Sequence, residues 1–145
     1  MKNAIYLICL LIGLLTACQE NNDQVKTPNG FYLTTHQGKE LKGPSGQQFN
    51  VEKAPIVGFS DLTAMTCESA NLESPFIKAT FSSAGLQKMT KATENNLRQR
   101  LVFVFNGQIL SATVIQEKIT TKFLNIALKN TKTCNEVVKS YDQSK

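Results

Sequence analysis

Residues 101–105 read Leu-Val-Phe-Val-Phe, and Asn106-Gly107 follows at once. This is the strongest strand signal in the chain. Asn-Gly tolerates positive φ at both centres of a type I′ turn, so residues 108–112 return antiparallel to the first strand, with pairing extending toward Ile115. A hairpin of this kind commits the chain to an antiparallel sheet. The other elements must then be ones that can pack against it.

They are short and alternate in type. Residues 75–81 place Ile77, Ala79 and Phe81 on one side and Phe76, Lys78 and Thr80 on the other, which suits a strand. Ser82 or Ser83 caps a helix to about Arg98, with Leu86, Met89, Ala92 or Thr93, and Leu97 along its apolar line. Lys88, Lys91 and Glu94 lie off that line, and Glu94 precedes Arg98 by four, a favourable surface pair. Ile119 ends a polar stretch, and residues 123–128 put Leu124, Ile126 and Leu128 on one face of another strand. Thr133 and Glu136 form a capping box that opens a last helix through Tyr141. Before these elements, residues 61–67 read as a short helix capped by Asp61, and 51–59 as a strand broken by Pro55. The order points to an α+β domain, a mainly antiparallel sheet with two helices packed on one face.

The first eighteen residues carry an address. Lys2 precedes an apolar run from Ala4 to Leu15 broken only by Gly13, the length of a signal peptide and short for a membrane span. The run ends in Leu15-Thr16-Ala17-Cys18, which resembles the bacterial lipobox. That resemblance implies cleavage before Cys18 and a diacylglycerol thioether with palmitate on it. Gln19 stands where inner-membrane retention asks for Asp, and so points to the outer membrane, periplasmic side. The competing possibility is a plain signal peptide with a chance cysteine. Several acyl chains on one N-terminus anchor firmly, whereas one is marginal.

Composition changes meaning once this segment is set aside. Thirteen of the chain's apolar residues fall in the first seventeen positions, leaving 47 of 128 in the remainder. Domain organisation follows: a signal peptide over 1–17, a lipidated flexible tether over 18–30, a polar variable segment over 31–48 opening on a short strand, and an α+β domain over 49–145. The mature chain carries a net charge of +4, from 15 basic and 11 acidic residues. These charges are scattered, which argues for a solvated face and against a nucleic-acid partner.

Four cysteines divide the same way. Cys9 lies in the removed segment and Cys18 is acylated, so Cys67 and Cys134 remain. An even pair in an oxidising compartment predicts a disulfide. A metal or redox pair would ask for Cys-x-x-Cys spacing or a nearby histidine. His36, the chain's one histidine, sits among Thr and Gln residues, so no metal site and no cofactor are expected.

Residues 76–128 resemble the head subdomain of the first periplasmic domain of SecD, the membrane subunit that assists protein export, with a weaker extension back to Ile56. The matching positions are Phe81, Gly85, Thr93, Asn96, Leu101, Gly107, Ser111, Ala112, Ile119 and Ile126. Asn106 replaces the family's turn Asp, Thr113 its Pro, and Lys122 a Gly. The resemblance implies a small head-like fold and contact with exported polypeptide. The acids Asp61, Glu68 and Glu73 have no evident acid–base partner, and Ser82-Ser83 lacks a nucleophile context, so no catalytic residue is assigned. The expectation is a non-catalytic envelope lipoprotein that binds exported or unfolded polypeptide. The alternative is a dedicated inhibitor or immunity protein against an envelope-directed hydrolase or toxin, docking through a loop such as 36–48. A third reading is a passive envelope component held near peptidoglycan, and an enzyme ranks below the binder and the inhibitor.

Overall fold

The computed structural model describes residues 26–69 and 74–145. The signal peptide over 1–17, Cys18 and the tether as far as residue 25 lie outside the described residues, as does Glu73. Eight strands and two α-helices follow in the order β1 (Gly30–Lys42), β2 (Gln48–Val51), β3 (Val57–Gly58), β4 (Leu62–Ser69), β5 (Pro75–Phe81), α1 (Ser83–Asn95), β6 (Arg100–Phe105), β7 (Gln108–Val114), β8 (Phe123–Ala127) and α2 (Thr131–Asp142), with one 3₁₀ turn at Phe59–Asp61.

The fold is α+β with every strand pair antiparallel, and the strands divide between two sheets rather than forming one. The first runs β2-β1-β6-β7, with β3 also on β1. The second is β4-β5-β8. The expected hairpin is present: Asn106 and Gly107 take φ of 49° and 76°, the positive values that Asn-Gly admits cheaply.

One face of each sheet and both helices share the main core. Phe31 and Phe103 of the first sheet meet at a tilt, centroids 5.1 Å apart, and Phe81 meets Phe31 from the second at 5.9 Å. Met89 of α1 and Val137 of α2, each fully buried, close this core from the helical side. The first sheet has a second, smaller core on its other face. There Tyr32, Val102 and Val104 are covered by Leu41 and Val51 of the β1–β2 hairpin. The Arg100 guanidinium lies 5.7 Å over the Phe49 ring at the rim of this patch.

That second core corrects the expected boundary at residue 49. Residues 31–48 are not a polar appendage, because β1 runs through them and Phe31, Tyr32 and Leu33 are buried. The polar half of β1 misled by composition. A register shift between Thr34 and Lys39 lets the strand fold over its own sheet, so only alternate apolar residues are needed.

Three local expectations also change. Residues 61–67 are not a helix: the 3₁₀ turn ends at Asp61 and β4 begins at Leu62, pairing along β5 from Leu62–Phe81 to Ser69–Pro75. Pairing to a seven-residue neighbour strand outweighs the weak helical preference of Leu-Thr-Ala-Met. The final helix starts earlier than the Thr133–Glu136 box, because the Asn130 side chain caps it by accepting from the Thr133 N–H at 2.8 Å. Helix α1 stops at Asn95, so Leu97 is half exposed and Arg98, at φ 71°, is outside the helix. Glu94 pairs with Lys118 at 3.4 Å instead of with Arg98.

Candidate functional site

The two sheets meet along one flank and part along another. Where β7 and β8 end their respective sheets, a cavity of about 660 Å³ opens between them. Phe31, Phe103 and Ile126 form its floor, and Ile115 and Ile119 its inner wall. The reason is a pattern of side-chain size. On β7 the positions opposite Phe103 and Leu101 are Ser111 and Thr113, two small hydroxyl residues where a Leu or Ile would have sealed the core.

Backbone direction adds to this. The Ile115 N–H donates to the Gln99 carbonyl at 2.8 Å, which makes Leu101–Thr113 and Phe103–Ser111 the hydrogen-bonded pairs of this ladder. Ala112 and Val114 therefore turn their N–H and C=O groups away from β6. On β8, the Leu128 N–H bonds to the Pro75 carbonyl at 3.0 Å, and the Phe81 N–H to the Lys122 carbonyl at 2.9 Å. The same alternation turns the backbone groups of Phe123, Asn125 and Ala127 away from β5, the Phe123 carbonyl accepting from the Thr121 hydroxyl at 2.9 Å. The groove is thus apolar at its floor, hydroxylated on one wall, and flanked by two sheet edges with backbone groups to offer.

The connection between β7 and β8 forms the remaining wall. Ile119 is held by two threonines of α1: the Thr93 hydroxyl accepts its N–H at 2.9 Å, and the Thr90 hydroxyl donates to its C=O at 2.7 Å. Thr93 is fully buried and also donates to the Met89 carbonyl at 2.8 Å. Helix α1 is fixed in turn. Ser82 caps it by accepting the Gly85 N–H at 3.0 Å, and Lys88 pairs with Asp61 at 2.7 Å. Gly85 packs so closely that a Cβ there would lie 2.2 Å from the Asp61 carbonyl oxygen.

The candidate residues from sequence take other places. Asp61 is occupied structurally, accepting the Gly58 N–H at 3.1 Å as well as pairing with Lys88. Glu68 lies seven residues along β4, about 23 Å away at the rise of a strand, and accepts from the Thr66 hydroxyl at 3.1 Å. His36 is exposed on β1, and residues 36–48 belong to the β1–β2 hairpin rather than to a free loop. Among the described residues, no three His, Cys, Asp or Glu side chains lie close enough to hold a metal ion. Among the described residues, too, no helix is long and apolar enough to cross a membrane. Cys67 on β4 and Cys134 on α2 bring their Sγ atoms to 2.07 Å, with Cα atoms 5.7 Å apart. Burial raises the Tyr32 phenol above its ordinary value, and its hydroxyl donates to the Pro28 carbonyl at 2.7 Å.

Sequence reading missed the groove because it depends on β7 and β8, which are near in sequence but end two different sheets. The hint available was the pair Ser111 and Thr113, alternate polar positions on a strand whose partner is apolar from Leu101 to Phe105.

The chain is thus an α+β domain of two antiparallel sheets, with a groove where their edges part. Residues 34–138 match the family model described as SecDF, P1 head subdomain, so the chain belongs to that family. The match extends well beyond the 76–128 stretch that carries the sequence resemblance, and takes in most of β1. Over 96 residues the chain is 31% identical to the protein translocase subunit SecD of Aquifex aeolicus (strain VF5), covering 66% of this chain and 18% of that protein. It therefore spans about a fifth of the length of this relative. Two solved structures share the fold. One, described as "Structure and function of a membrane component SecDF that enhances protein export", superposes with a TM-score of 0.61 at 17% identity, over 78% of this chain and 60% of that one. The other, "Crystal structure of SecDF in Super-membrane-facing form", gives 0.59 at 19% identity, over 75% and 18%.

Several residues of the sequence resemblance have visible roles. Phe81 fills the core, Gly85 allows α1 to touch the Asp61 backbone, Thr93 binds Ile119, and Gly107 turns the hairpin. Asn96 folds back on the helix end, its side-chain amide donating to the Ala92 carbonyl at 2.8 Å.

Proposed function

We propose that this chain is a non-catalytic, lipid-anchored module of the cell envelope that receives an extended polypeptide segment in the groove between β7 and β8, in a role related to protein export. The observation that carries it is the pairing of an apolar floor with two open sheet edges. An extended segment there can add main-chain hydrogen bonds to an edge while placing alternate side chains on Phe31, Phe103 and Ile126. Family membership supports the export setting. Cys18 is the acylated residue and fixes the module to the periplasmic face of the outer membrane. Cys67 and Cys134 are bonded in the mature protein and clip β4 to the last helix.

The test uses the mature chain. It should suppress aggregation of a denatured client, and Ser111→Leu, which fills the groove from β7, should abolish suppression without unfolding the domain. Equal suppression by the filled variant rejects the groove. A crosslinked pull-down from native envelopes should recover export components. A single secreted hydrolase or toxin at fixed stoichiometry would instead establish the inhibitor reading. Labelling with radioactive palmitate tests the anchor: a Cys18→Ala chain that stayed membrane-bound and labelled would remove it.

A further inference from the structure

The wall of the groove formed by residues 115–122 has no sheet of its own. It is pinned at one end by Ile115, whose C=O accepts the Arg98 N–H at 2.8 Å and whose N–H reaches the Gln99 carbonyl at 2.8 Å. It is pinned again at Ile119, where both backbone groups are taken by side chains of one helix. Gln116 and Glu117 lie between these anchors, and both line the groove.

From this arrangement we infer that Thr90 and Thr93 are positioning residues for the groove: together they set where Ile119 and the connecting strap stand, and hence how wide the mouth is. This rests on the proposed use of the groove. A threonine inside a helix ordinarily satisfies its hydroxyl on a carbonyl of the preceding turn. Thr93 does so toward Met89, and that bond aims its oxygen to accept from Ile119. Thr90 completes the pair from three residues earlier, on the same face. One residue of an irregular strap, through the two peptide units that flank its Cα, is thereby referenced to α1, which is itself locked to Asp61, and not to either flanking strand edge. The Ile119 side chain packs against the main core and borders the groove, so a shift of this residue moves the wall directly.

The test compares the mature chain with Thr93→Val, Thr90→Val and Thr93→Ser. The probe is a permanently unfolded polypeptide, reduced and carboxymethylated α-lactalbumin. Each valine keeps the shape and removes the hydroxyl, so amide exchange at Ile119 and across 116–122 should rise about tenfold. Affinity for the probe should fall about tenfold, while exchange in β6 and α2 stays as in the parent. Thr93→Ser should restore both. If the valine variants lose stability globally and the strap exchanges no faster than the rest, or if affinity and strap exchange are both unchanged, the positioning role is refuted. If the parent fails to bind the probe while the strap still loosens in the valine variants and recovers in Thr93→Ser, the polypeptide reading falls and the threonine anchoring stands.

Discussion

The two flanks of the main core are built on opposite terms. On the helical flank α2 lies over β4 and β5, Val137 and Tyr141 are buried, and the Tyr141 hydroxyl donates to the Leu62 carbonyl at 3.2 Å. Cys134 meets Cys67 on the same flank. On the other flank, β7 and β8 approach without pairing, and Ser111 and Thr113 stand where large side chains would close the gap. The difference shows that a small domain can leave one side of its core unsealed when the rest is clamped. An open groove in a domain this small sits where stability has been supplied elsewhere.

The largest effect should come from the residue on which the two sheets meet. Phe81→Ala removes a fully buried ring between Phe31 and the helices, and should cost about 3–5 kcal/mol in denaturant unfolding. A loss below about 1 kcal/mol would mean that the two sheets do not share this core.

Reducing the clamp should rank next. Opening a link between residues 67 apart should lower stability by about 2–4 kcal/mol. Mass measurement on the unreduced mature protein should find no free thiol at Cys67 or Cys134, and two free thiols would remove the clamp from the helical flank.

Tyr32→Phe acts on the smaller core and should cost about 1 kcal/mol through the lost bond to Pro28. Its pH dependence has a definite sign. Because burial raises the folded phenol above the unfolded one, the native state favours the neutral form. The tyrosine's contribution is whole below about pH 10 and falls as pH rises through the folded value. The stability gap between parent and Tyr32→Phe should therefore narrow above about pH 10, and a gap that stays constant would contradict the burial argument.

The smallest stability effect should come from the open flank. Ser111→Leu adds apolar volume to an existing cavity, so it should shift unfolding by under about 1 kcal/mol in either direction. A cost above about 2 kcal/mol would show that the space is not free to fill. Its effect on client binding should be complete, and that contrast between stability and binding sharpens the division between the flanks.

Much of the fold was legible because its signals are local. The β6–β7 hairpin follows from Leu-Val-Phe-Val-Phe and Asn106-Gly107, β5 from its alternation, and the start of α1 from Ser82. The errors fall where a neighbour overrides a local preference. Residues 62–67 look weakly helical but are recruited by β5, and the polar half of β1 is strand because the β1–β2 hairpin must cover Tyr32, Val102 and Val104. The Thr133–Glu136 box yields to Asn130 because a cap is decided by which side chain reaches the first free N–H groups.

By itself the sequence determined the α+β class, the antiparallel hairpin at its centre and the family resemblance, since periodicity and turn chemistry act over a few residues. Tertiary structure decided that there are two sheets, that β1 belongs to the core, and that β7 and β8 face each other across a gap. Those features depend on which surfaces meet after the chain has folded back on itself. Ser111 and Thr113 are unremarkable on a strand. They become the wall of a groove because the second sheet ends opposite them without pairing.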